Sequence, residues 1–206
     1  MSTLFLASFF KQVASLFPEF AGHACEGKTV CFIPTAANPE KVKFYVGADR
    51  KALTGLGMSV TDLDISAAPA GEIASGLAEA DYVFVSGGNT FYLLQELRRS
   101  GADQLIVEQI SAGKTYIGAS AGSMILVKDI SYVQHMDSPA AAPNLDGDFT
   151  ALGVVDFCVV PHATNTPFKK AASRIQTSYA DSLDLRPISN NQAITVSGDR
   201  IDILTA

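Results

Sequence analysis

Gly118-Ala119-Ser120-Ala121-Gly122 sets one hydroxyl among four residues with almost no side chain. The pentapeptide fits Gly-x-Ser-x-Gly, the sharp turn that carries a nucleophilic serine from a strand end into a helix start. Such a turn draws the residues two before and two after the serine together, and glycine at both places removes the clash. The helix starting there aims unpaired N–H groups, that of Ala121 included, at an oxyanion forming beside Ser120. The same five residues are also compatible with tight packing of helix on strand, or with a phosphate cradled at the helix N-terminus. The partners of Ser120 must decide between these readings.

A serine nucleophile needs a base, and the chain has three histidines. His162 follows the apolar run Phe157-Cys158-Val159-Val160 and so falls at the carboxyl end of a strand, where open α/β sheets place their chemistry. It is preferred over His135, which sits in the polar stretch "YVQHMDSP", and over His23, between the first two strands. A second oxyanion donor is expected from "VSGGNTF", Val85 to Phe91, where Gly87 and Gly88 let backbone approach a ligand. In this reading a flipped peptide at these glycines supplies the amide and Asn89 lines the site. The alternative is an ordinary glycine turn with Asn89 as a helix cap. No Gly-x-Gly-x-x-Gly accompanies these loops, so a dinucleotide site is poorly supported.

The elements that would carry these loops alternate between short apolar runs and longer amphipathic ones. "TVCFIP", "MSVTDLDI", "DYVFVSGG", "KTYIG" and "VVDFCVVP" read as strands, with the apolar opening "MSTLFLASFF" as a first buried strand. "KVKFYVGADRKALTGLG", "AGEIASGLAEA", "NTFYLLQELRRSG", "ADQLIVEQISAG" and the start "SAGSMILV" read as helices. This βαβα order demands a mostly parallel sheet with helices on both faces. Near the end, "QAITVSGDRIDILT" is two alternating runs about a turn, a β-hairpin for one edge of the sheet. Ser138 to Asp148, "SPAAAPNLDGD", reads as a long flexible loop.

With 206 residues, 48% hydrophobic and 17% charged, the chain suits one domain spanning 1–206. Its 15 basic and 21 acidic residues give a net charge of -6 with no basic block, so nucleic acid has no electrostatic foothold. No run is long enough for a membrane span, and the N-terminal stretch lacks the basic start of a signal peptide. Cys25, Cys31 and Cys158 form no Cys-x-x-Cys, so no disulfide framework or metal site is expected and a reducing cytoplasm fits. Homo-oligomerisation stays open.

The three motifs "GGNTF", "YIGASAGS" and "PHATN", in this order and spacing, resemble the dipeptidase E family of serine peptidases, relatives of aspartyl dipeptidase and the cyanophycinases. The resemblance runs from the first strand to the hairpin. It implies a glutamine-amidotransferase-like or flavodoxin-like three-layer fold, Ser120 as nucleophile and His162 as base. It also implies an oxyanion hole from the backbone of Gly88 and Ala121, short peptides as substrates and no cofactor. An aspartyl preference does not carry over, since no arginine can be assigned to it.

The family's acidic triad member falls on Asn190, with Asn191 beside it. Asparagine can accept the imidazole N–H but cannot offset an imidazolium charge, and replacing the acid of a serine triad can slow it by ~10⁴. Asp137 is the leading substitute acid, because the family has an aspartate important to activity after the elbow helix. Asp146, Asp148 and Asp156 rank below it. Two further readings remain: an esterase of the α/β-hydrolase type, whose acid precedes its histidine, and a non-catalytic peptide-binding relative that lost its triad acid.

Overall fold

The structure is a computed structural model describing residues 2–22 and 25–206; the His23 candidate lies outside the described residues. The apolar runs form β1 (Thr3–Ala7), β2 (Thr29–Ile33), β3 (Ser59–Asp62), β4 (Tyr82–Val85) and β5 (Thr115–Ala119). β6 (Cys158–Val160) and β7 (Leu185–Pro187) follow, then β8 (Gln192–Ser197) and β9 (Arg200–Thr205). One sheet has the order β3-β2-β4-β5-β1-β8-β9, with the first five parallel and the terminal hairpin antiparallel at the edge.

Successive residues of a strand point to opposite faces, and here both faces are buried. Leu4 and Leu6 of β1 enter one core while Phe5 and Ala7 enter the other; Ile33 and Phe32 divide in the same way on β2. One face is covered by α1 (Phe10–Val13), α2 (Phe17–Ala21) and α3 (Phe44–Gly55), through Phe10, Phe17 and Leu53. The other is covered by α4 (Ala70–Glu79), α5 (Thr90–Ser100), α6 (Ala102–Ser111), α7 (Ala121–Met124) and α8 (Lys169–Tyr179). The result is the expected three-layer α/β sandwich.

Three details differ from the sequence reading. The helix begun at Ala121 stops after one turn, because the carbonyls of Ile125, Leu126 and Val127 accept from Leu152, Val154 and Gly153 instead of continuing a helical ladder. β6 does not join the main sheet but pairs in parallel with β7. Its expected first residues are drawn off, the amides of Val154 and Val155 both donating to Leu126. Finally, the stretch from Ser138 to Asp148 holds two short 3₁₀ turns, Pro139–Ala141 and Pro143–Leu145. α5 fastens it, Gln95 accepting from the Asn144 amide and Arg98 donating to the Asp148 carbonyl.

Candidate active site

The turn at Ser120 needs small residues for a measurable reason. A Cβ on Gly118 would lie 2.6 Å from the Gly122 carbonyl oxygen, and one on Gly122 would lie 2.1 Å from that of Val85. Only glycine lets β4, β5 and α7 approach so closely. Ser120 itself has φ 49° and ψ -106°, a conformation that persists only where the surroundings impose it. They do so through the end of β1, where the Ala7 carbonyl accepts both the Ser120 amide and the Ser123 hydroxyl.

His162 arrives at the end of β6 with φ 58°, also left-handed. Its amide donates to the Ser8 hydroxyl at 3.0 Å, and that hydroxyl donates to the Ile188 carbonyl. Residues 7 and 8 therefore hold the serine turn and the histidine turn side by side. The imidazole spans two partners, with Nε2 3.1 Å from Ser120 Oγ and Nδ1 2.6 Å from Asn190 Oδ1. Its ring stacks on Phe168, centroids 5.1 Å apart. Burial lowers the His162 pKa, and the hydrogen bond to Asn190 only partly opposes this. A neutral ring donating from Nδ1 to the Asn190 carbonyl leaves Nε2 as acceptor for the serine proton.

Asn190 is held in turn by Asn165, whose Oδ1 accepts the Asn190 amide at 2.9 Å, while the Asn165 amide donates to the His162 carbonyl. Asn165 thus joins the two turns. Sequence reasoning missed Ser8 and Phe168. A hydroxyl directly after a buried strand was the only signal for Ser8, and nothing local marked Phe168.

Asp137 lies elsewhere. Its Oδ2 accepts the amide and hydroxyl of Thr90 at 2.9 and 2.6 Å, and its carboxyl is pushed up to about 6, chiefly by burial. The other acids considered are also directed away, Asp148 to Arg98 and Thr150 and Asp156 to Lys128, while Asp146 occupies a left-handed turn. The imidazole thus meets an amide that follows it in the chain, and the acid-before-histidine order of an α/β-hydrolase is not found among the described residues.

Gly87 stands against the serine, with a Cβ placed there 3.3 Å from Ser120 Cβ. Gly88 has φ 143°, and a Cβ on it would meet the Ala36 carbonyl at 2.1 Å. That carbonyl accepts the Asn89 amide. Neither the Gly88 nor the Ala121 amide has an acceptor among the described residues, and the latter is the first amide of α7. Asn89 has both side-chain ends occupied, Oδ1 capping α5 at the Tyr92 amide and Nδ2 donating to the Ser138 carbonyl. The cap reading of Asn89 is the one these contacts show, its Oδ1 accepting the Tyr92 amide at 3.0 Å. His135 is exposed, its ring beside that of Tyr179. Among the described residues, no group of three or more His, Cys, Asp or Glu side chains is placed to hold a metal ion, and no helix is long and apolar enough to cross a membrane.

Comparison with known proteins identifies the family. The family model "Peptidase family S51" matches residues 2–204. The chain belongs to peptidase family S51. This S51 peptidase is 51% identical to the uncharacterized peptidase Lmo0363 of Listeria monocytogenes, over 98% of this chain and 97% of that one. It is 33% identical to peptidase E of Shewanella amazonensis, over 84% of this chain and 73% of the relative. A 1.5 Å crystal structure of a Listeria monocytogenes protein, presented as a peptidase E, superposes with a TM-score of 0.95 at 48% identity. That match covers 100% of this chain and 99% of the other. The S51 peptidase is accordingly a serine-type hydrolase of peptide bonds.

Proposed function

We propose that this S51 peptidase hydrolyses short peptides through Ser120, His162 and Asn190, with the Gly88 and Ala121 amides as its oxyanion hole. The observation that carries the reading is the imidazole held between Ser120 Oγ at 3.1 Å and Asn190 Oδ1 at 2.6 Å. Ser120 Oγ attacks the peptide carbonyl carbon while His162 Nε2 takes its proton, and the two amides donate to the oxygen that becomes negative. His162 returns the proton to the leaving nitrogen as the C–N bond breaks, leaving an acyl ester on Ser120. A water, deprotonated by the same nitrogen, then releases the acid. Asn190 directs the ring and fixes its tautomer, and Asn165 and Ser8 are positioning residues that hold the two turns in register.

Ser120→Ala is expected to abolish hydrolysis of a dipeptide library and labelling by a fluorophosphonate probe, while the thermal transition stays cooperative. Undiminished hydrolysis by the purified variant would overturn the assignment.

A further inference from the structure

The loop that carries Gly88 is seated on a turn whose own fastening lies outside the site. Gly88 packs on the 3₁₀ turn Thr35–Ala37 so closely that a Cβ on it would lie 2.1 Å from the Ala36 carbonyl oxygen. The same carbonyl accepts the Asn89 amide at 2.8 Å. The position of the Gly88 amide therefore follows the position of Ala36.

That turn is gripped from the neighbouring strand. Thr35 is fully buried, and a buried hydroxyl needs partners. It donates to Asp64 Oδ1 at 2.9 Å and accepts the Ile65 amide at 3.1 Å. Just past the turn, Asn38 Nδ2 donates to Asp64 Oδ2 at 3.0 Å. One carboxylate, placed directly after the edge strand β3, thus holds the chain on both sides of Ala36.

Asp64 is itself fixed, its Oδ1 also accepting the amide and hydroxyl of Ser66 at 3.0 and 2.7 Å. Burial works to raise its pKa, yet the hydrogen bonds from Ser66, Asn38 and Thr35 hold it below the ordinary carboxylate value. The carbonyls of Ile65 and Ser66 accept from Arg99 of α5 at 3.3 and 2.7 Å, and Arg99 is paired with the buried Glu96 at 2.6 Å. α5 starts at Thr90, just after Gly88 and Asn89. Residues 64–66 therefore fasten both supports of Gly88, the turn it packs on and the helix that follows it.

On the reading of the site proposed above, we infer that Asp64 is a positioning residue for catalysis, acting through the Thr35–Ala37 turn to hold the Gly88 amide where the oxyanion forms. Its hydrogen bonds go to Thr35, Asn38 and Ser66, so its effect on rate passes through that turn. The oxyanion exists only after attack, so a displaced amide lowers kcat and leaves ground-state binding alone. Asp64→Ala should lower kcat by about 10- to 100-fold with KM nearly unchanged, short of the ~10² to 10³ of a donor lost outright.

The experiment measures kcat and KM on a dipeptide that the wild type cleaves, for wild type, Asp64→Ala, Gly88→Ala and the double variant, with fluorophosphonate labelling of Ser120. Once Gly88→Ala has displaced the amide, loss of Asp64 has little left to disturb, so the double variant should match Gly88→Ala within a few fold. A role in stability alone would multiply the two losses. A fall in kcat at constant KM together with this non-additivity supports the inference. Wild-type kcat in Asp64→Ala, a change confined to KM, or losses that multiply in the double variant overturns it and leaves the serine mechanism standing. Thr35→Val, which deletes one Asp64 bond and keeps the side chain's shape, carries the same test should Asp64→Ala not fold, and wild-type kcat in it overturns the inference. Absence of labelling and of peptide turnover in the wild type overturns the serine mechanism and the positioning role with it.

Discussion

At position 190 an amide stands where the imidazole would profit from a charge. Asn190 Oδ1 lies 2.6 Å from Nδ1, an acceptor that supplies direction without countercharge. Burial already lowers the His162 pKa, and a base works only unprotonated. Activity should thus persist below the ordinary imidazole value near pH 6.5 and fail only as pH falls through the lowered pKa. Asn190→Asp would add the missing charge, raise the His162 pKa, and move the acid limb of the kcat/KM profile to higher pH. At pH 8 the rate should rise by at least about tenfold, given the ~10⁴ an acid can contribute in a serine triad. Asn190→Ala, which frees the ring, should cost on the order of 10²-fold. A pH profile identical in wild type and Asn190→Asp would show that Nδ1 does not face this side chain during turnover.

At the scale of elements, two glycine turns and one hydroxyl bring three distant loops together. Gly88→Ala would drive a Cβ to 2.1 Å from the Ala36 carbonyl at a φ of 143°, which L residues rarely adopt. The turn must move, taking its amide with it. Loss of one oxyanion donor predicts a fall in kcat of ~10² to 10³, with KM nearly unchanged, measured on any dipeptide that the wild type cleaves. The serine turn was readable in the sequence because its demands are local: each residue of "GASAG" answers to neighbours within four positions or to the adjoining strand. His162 was readable from its place after an apolar run, even though that run pairs outside the main sheet. Asn165 and Ser8 were not, because their hydrogen bonds reach partners 25 and 154 residues away in the chain. The early end of α7 escaped for the same reason, its carbonyls being claimed by residues 152–154. Periodicity reports which face of an element is buried and says nothing of which distant backbone group will compete for its hydrogen bonds.

For the molecule as a whole, the two cores make the sheet rigid, and one buried acid makes its stability depend on pH. Asp49 of α3 is 1% exposed and accepts the Lys11 amide of α1 at 2.9 Å, and burial raises its pKa to about 7. A carboxyl protonated more readily in the folded than the unfolded chain stabilises fully below its unfolded value, near pH 4, and that contribution is lost as pH rises through 7. Asp49→Asn, which keeps an acceptor for Lys11, should be nearly neutral at pH 4 and stabilising by about 2 to 4 kcal/mol at pH 8. Urea melts at the two pH values measure this; equal midpoints for the two proteins at pH 8 would show that Asp49 bears no ionisation cost. The acid that sets this pH dependence is thereby separate from the Ser120–His162 pair.

The Ser8 hydroxyl, clasped between the His162 amide and the Ile188 carbonyl, also sets an order of events for a newly made chain. Residues 7 and 8 are made before the groups they must grip, and before the neighbouring Asn190. The arrangement around His162 is therefore complete only once residues 188–190 have packed against the end of β1.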